Sequence, residues 1–154
     1  MKLAYVDAFS GVSGDMFLAA LLDAGLSPII LNEQLALLGL PEAVMVQVEE
    51  THKGALRASL VTVIAPDSHH HRHLEDIQRI ITESRLADEV KATSLKVFQV
   101  LAEAEARVHG VPLNHVHFHE VGALDSIVDA VGAAIGLHVM GIERLYASAL
   151  PYGT

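Results

Sequence analysis

The chain has no cysteine and no tryptophan, and it carries only ten lysines and arginines against nineteen aspartates and glutamates in 154 residues. Without thiols there is no disulfide framework, and centres that want thiolate, such as iron–sulfur clusters and Cu(I) sites, are excluded. A formal charge of −9 argues against a surface built to neutralise phosphates along a duplex, so nucleic acid is not expected as a partner. Long apolar runs are missing too. The most apolar long stretch, residues 127–142, is interrupted by Asp129 and His138 and falls short of the ~20 apolar residues a bilayer span needs. The opening Met1-Lys2-Leu3-Ala4-Tyr5-Val6-Asp7 lacks the apolar core of a secretory signal, so no membrane association is expected and the cytoplasm is the simplest location. Hydrophobic residues still make up 51% of the chain, enough for one compact α+β domain with a core of its own.

What the chain has in excess is histidine, and seven of the ten fall in two short windows, His69-His70-His71-Arg72-His73 and His115-Val116-His117-Phe118-His119-Glu120. Imidazole suits divalent nickel, zinc, copper and iron, so this pattern points to a transition metal, without naming which one. In the second window an extended backbone sends alternate rings to one face, neighbours ~7 Å apart at the α-carbon. Two or three of His115, His117 and His119 can then converge on an ion, with Glu120 or Asp125 adding oxygen. A polar turn whose rings bond backbone carbonyls fits the same residues. The first window, contributing His69, His70, His71 and His73, has neither strand nor helix period and belongs on a loop, either as a solvated segment or as a collector of ions. His52 and His138 are isolated, and His109 ends a helix, where a cationic ring suits the terminal carbonyls.

Periodicity supplies the frame. Leu3, Tyr5 and Val6 form a short strand that runs into the Gly/Ser-rich Phe9-Ser10-Gly11-Val12-Ser13-Gly14-Asp15. Ser13 can cap a helix carrying Met16, Phe17, Ala20, Leu21 and Ala24 at helical spacing, stopped by Gly25. Ser27-Pro28 opens a second helix, which Gly39 and Pro41 end. Val44, Val46 and Val48 then alternate, residues 56–64 are β-rich, and Lys53-Gly54 between them predicts a hairpin. Leu74, Ile77, Ile80 and Ile81 mark an amphipathic helix, and a longer one spans residues 88–109 up to Gly110-Val111-Pro112. Asp125 can cap a last helix, on which Gly132 and Gly136 would let a neighbour approach closely, within the chain or in a homo-oligomer. Residues 144–150 read as a final strand, and Pro151-Tyr152-Gly153-Thr154 ends on turn residues, as if a longer chain had been cut. The order predicts a small, mostly antiparallel sheet covered by helices, with a ferredoxin-like topology as one arrangement that fits.

Two features can carry chemistry besides the histidines. The Ser10, Gly11, Ser13 and Gly14 backbone lies between strand and helix, where free N–H groups can hold an anion, yet it has no P-loop lysine, and Asp7 and Asp15 flank it. These carboxylates repel a bare phosphate but accept a metal–phosphate pair or a hydroxyl-rich ligand; a plain helix-capping turn is the other reading. Asp129 shares a helix face with Asp125 and interrupts an otherwise apolar helix, and a buried carboxylate needs a partner such as histidine, arginine or a metal.

Together, Asp7-Ala8-Phe9-Ser10-Gly11-Val12-Ser13-Gly14-Asp15-Met16, the residue 69–73 loop, Ala104-Glu105-Ala106-Arg107-Val108-His109-Gly110 and His117-Phe118-His119-Glu120-Val121-Gly122-Ala123-Leu124-Asp125-Ser126-Ile127-Val128-Asp129 resemble the LarC family of nickel-insertion proteins, with the motifs in the family's order. The resemblance implies a cytoplasmic lyase that inserts nickel into pyridinium-3,5-bisthiocarboxylic acid mononucleotide to give the nickel-pincer nucleotide cofactor. It implies CTP consumption with Mn²⁺ or Mg²⁺, and a nucleotide-binding region that follows the segment seen here, so that this chain corresponds to the N-terminal portion and is expected to be inactive alone. On this reading Asp7, Asp15, Glu120 and Asp129 are the candidate catalytic carboxylates. A histidine-rich nickel store or delivery chaperone without chemistry is the alternative, and a zinc or manganese hydrolase a third.

Overall fold

A computed structural model of the chain describes residues 1–66, 72–113, 116 and 123–151. Its elements in order are β1 (Leu3–Val6), α1 (Gly14–Asp23), α2 (Pro28–Ala36), β2 (Met45–Lys53), β3 (Leu56–Ile64), α3 (Leu74–Glu83), α4 (Asp88–His109), α5 (Leu124–Val139) and β4 (Arg144–Ala147). The α+β class expected from the sequence holds. Its strands form two ladders: β2 and β3 pair antiparallel from Met45↔Ile64 to Lys53↔Leu56, while β1 and β4 pair parallel from Leu3↔Arg144 to Val6↔Ala147. A ferredoxin-like topology would place all four strands in one sheet; among the described residues they lie in two.

Helix α5 is the axis of the core. Ile127, Val128, Val131 and Ile135 are fully buried, and α5 packs against α1, α2 and α4. Its glycines explain how close α1 comes. A Cβ on Gly136 would meet the Cδ1 of Leu21 at 2.8 Å, and one on Gly132 would meet the Leu18 methyls at 3.3 and 3.4 Å. The small-residue face foreseen in the sequence is therefore filled from within the chain, by leucine side chains of α1.

Helix ends follow local chemistry, with two corrections. Ser27 caps α2 by accepting the Ile30 N–H, with Pro28 at the first helical position, and Gly110 closes α4 in the left-handed region that favours glycine. Ser13 stands at the N-cap of α1, but its hydroxyl donates to the Asp15 carboxylate and makes no cap bond. Asp125 does not cap α5 either. The N-cap is Ala123, and Asp125, already helical as the second residue of the first turn, accepts the Ser126 N–H at 2.8 Å. A cap side chain must reach forward from an extended residue, and Asp125 is helical; its charge still complements the amino end of the helix.

The hairpin is fixed to the helices by side chains that mimic backbone. The Asn32 amide donates to Val46 O at 2.9 Å and accepts from Val46 N at 2.8 Å, giving the edge of β2 the two bonds another strand would supply. Among the described residues no helix is long and apolar enough to cross a membrane.

Candidate functional site

The loop after β1 is held by the far end of the chain. Ser148 N–H donates to Val6 O at 2.9 Å, and its hydroxyl accepts the Ala8 N–H at 2.8 Å. Inside the loop, Gly11 N–H returns to Ala8 O at 2.9 Å with φ at +88°, a tight turn only glycine makes without strain. The turn delivers Gly14 and Asp15 to the start of α1. Nothing in the local sequence signals the role of Ser148; it arises only because β4 returns parallel to β1.

At Gly14 the loop meets α5. A Cβ there would lie 2.7 Å from both the Cβ and the Oδ2 of Asp129, so the glycine is needed for close approach, and Asp129 is the residue approached. The Asp15 backbone N–H donates to the Asp129 carboxylate. Asp129 is half-buried, and its Oδ1 is shielded from solvent with no hydrogen-bond partner among the described residues. Desolvation, then the nearby charges of Asp15 and Asp125, push its pKa up to about 6, against the opposing pull of the Asp15 N–H. A carboxyl poised there is suited to taking up a proton near neutral pH.

Asp129, Gly14 and Ser126 form the polar end of a cleft of about 470 Å³ between α4 and α5, whose remaining walls include Phe17, Phe98, Leu101 and Leu145. Sequence periodicity assigned the phenylalanines to the core, where Phe98 is fully buried and Phe17 packs against it partly buried; no local signal shows that Phe17 also borders a cleft.

The structure thus brings together Gly14, Asp15, Asp125 and Asp129 of the expected site. Ser10 and Ser13 are exposed on the adjoining loop. Asp7 is exposed at the end of β1 and lines a separate cavity of about 360 Å³ with Gly11, Val12 and Met16. His73 stands at the N-terminus of α3, where its N–H donates to Asp76, and lines another cleft with Glu75, Gln78 and Val116. His69, His70, His71, His117, His119 and Glu120 lie outside the described residues. Among the described residues no three of His, Asp and Glu are grouped to hold an ion. His109 sits 3.1 Å from Glu105 one turn earlier on α4, in keeping with a helix-end role.

The sequence profile of the nickel insertion protein family matches residues 4–154. The chain belongs to the nickel insertion protein family. A relative named putative nickel insertion protein from Roseiflexus castenholzii is 49% identical over 152 residues, covering 99% of this chain and 38% of that protein. The pyridinium-3,5-bisthiocarboxylic acid mononucleotide nickel insertion protein of Desulfitobacterium hafniense is 48% identical over 153 residues, again 99% and 38%. A putative nickel insertion protein from Syntrophobacter fumaroxidans is 52% identical over 153 residues, 99% and 39%. The chain therefore spans about two fifths of the length of these nickel insertion proteins. No solved structure matches it.

Proposed function

We propose that this chain is the N-terminal part of a cytoplasmic lyase-class enzyme that inserts nickel into pyridinium-3,5-bisthiocarboxylic acid mononucleotide. The observation that carries this reading is Asp129, a half-buried carboxylate with one oxygen unpartnered among the described residues, pressed against Gly14 at one end of a cleft sized for a small ligand. In the reaction a ring C–H bond breaks, a carbon–nickel bond forms, and the proton must leave. Asp129 is the acceptor best placed by burial and pKa, with Asp15 beside it and Asp7 and Glu120 as further candidate carboxylates.

Nickel is a substrate here and has to be held by ligands that release it. His117 and His119 with Asp125 are the proposed holding set, and His69, His70, His71 and His73 the collecting loop. Nitrogen and oxygen donors hold nickel less firmly than the thiolates this chain lacks, which favours transfer to a substrate offering sulfur and carbon. Ser10, Gly11, Ser13 and Gly14 are the proposed rim for the substrate's phosphate. CTP and Mn²⁺ or Mg²⁺ belong to this reading through the family resemblance; no described cluster fits such an ion, and the nucleotide is assigned to a region outside this chain.

Calorimetry tests the metal half. Nickel binding should weaken as pH falls below about 6.5, because protonated rings cannot ligate, and His117→Ala with His119→Ala should remove most of it. Absence of nickel uptake by the wild type, or uptake unchanged in the double variant, would overturn the assignment. In the full-length protein, Asp129→Asn should slow cofactor formation by about 10²–10⁴-fold while leaving nickel binding in place.

A further inference from the structure

We infer that the cleft between α4 and α5 is the seat of a flat, positively charged aromatic ring, held with its charged edge toward Asp129. The inference rests on the proposed pyridinium substrate and adds where its ring lies and what selects it.

The floor of the cleft is made by Ala130, Ala133 and Ala134, three small side chains on one face of α5 that leave a slot where larger residues would close it. From Ser126 to Leu137 the slot follows α5 for about 16 Å, longer than an aromatic ring and able to take its substituents. Phe17, partly buried, gives aromatic surface on one wall, with the fully buried Phe98 packed behind the cleft, and aromatic faces attract both other rings and cations. Only one end is acidic. Asp129 lies there with Asp15 and Asp125 close enough to raise its pKa, and among the described residues no lysine or arginine is paired with Asp129 and its Oδ1 has no hydrogen-bond partner. A mostly apolar slot lined at one end by the Asp129 carboxylate, with no lysine or arginine among its described lining residues, is complementary to an aromatic cation and discriminates against its neutral counterpart.

The chemistry fits the same placement. The charge of an N-alkylpyridinium is spread over the ring carbons ortho and para to nitrogen, so a carboxylate at the ring edge pairs with that charge and faces the C–H hydrogens it acidifies. Gly14 lines the same end, which lets the ring's phosphoribosyl arm leave the slot beside the Ser10 to Gly14 backbone.

The test uses nicotinic acid mononucleotide as a cationic-ring probe and its 1,4-dihydro form as a neutral-ring probe, with calorimetry for affinity and amide NMR shifts for location. The cationic probe should bind about tenfold more tightly than the neutral one, with shifts at Phe17, Val97, Ala130 and Ala133. Asp129→Asn should bring the two affinities within about twofold of each other. Ala133→Leu, which fills the slot with an apolar side chain, should abolish binding of both probes in a chain whose thermal unfolding shows it folded. Equal binding of the two probes by the wild type, no binding of either, discrimination that survives Asp129→Asn in the folded variant, or shifts confined elsewhere would each overturn the inference. Nickel titrations on the same samples keep the two readings apart: loss of ring selectivity with nickel binding intact refutes the slot alone, and ring selectivity without nickel binding refutes the insertase alone.

Discussion

Replacing Asp129 by asparagine should make the protein more stable and less capable, and the size of the gain follows from the site. The carboxyl is raised from its ordinary 3.8 to about 6 by burial and by Asp15 and Asp125. A raised carboxyl means that the native state holds its proton more tightly than the unfolded chain. Between pH 3.8 and about 6 the native state therefore binds more protons, and stability falls as pH rises through that window, reaching its full deficit above it. At ~1.4 kcal/mol per pH unit the ceiling is about 3 kcal/mol. Asp129 is only half-buried, so solvent screening reduces the expected deficit to roughly 1–1.5 kcal/mol. Asparagine has nearly the same shape, can still accept the Asp15 N–H, and carries no charge to desolvate. Urea unfolding of both proteins from pH 4 to pH 8 should show near-equal stability at pH 4 and an asparagine variant more stable by about 1 kcal/mol at pH 7 and above. An asparagine variant equal to or less stable than the wild type at pH 7, or a difference that shrinks as pH rises, would refute the electrostatic account of this residue.

Two other perturbations probe the frame around the site. Gly14→Ala places a methyl 2.7 Å from Asp129 and should destabilise by about 1–3 kcal/mol as the loop and α5 are forced apart; a thermal midpoint within error of the wild type would show that the contact relaxes freely. Asn32→Leu removes both bonds to Val46 and leaves a partly buried N–H and C=O unpaired, at about 1–3 kcal/mol, with hydrogen exchange at Val46 rising sharply; unchanged protection there would show the bonds to be dispensable.

The local elements were legible because each is written in side chains close together in sequence. Alternation at Val46 and Val48 marks β2, the spacing of Leu74, Ile77 and Ile81 marks α3, and Gly110 ends α4, all as found. The two caps assigned from sequence were less secure, since a serine or aspartate near a helix start has competing partners, and both Ser13 and Asp125 took them. The histidine windows were conspicuous in sequence, but their ligand role depends on residues outside the described part of the chain. The cleft was not legible at all: Phe17, Val97 and Ala133 lie on three different helices, and nothing in the local sequence of any of them marks a shared cavity.

By itself the sequence determined that this is a cysteine-free, acidic chain whose described residues form five helices and four strands, with imidazoles and carboxylates in the order of the nickel insertion proteins. Only the tertiary structure decided that strands at opposite ends pair in parallel, that Ser148 braces the loop after β1, and that Gly14 and Asp129, over a hundred residues apart, meet. The physical reason is range. Periodicity and capping act over a few residues and leave their mark locally, whereas a carboxylate's pKa and a cleft's shape are set by whichever distant segments pack beside it.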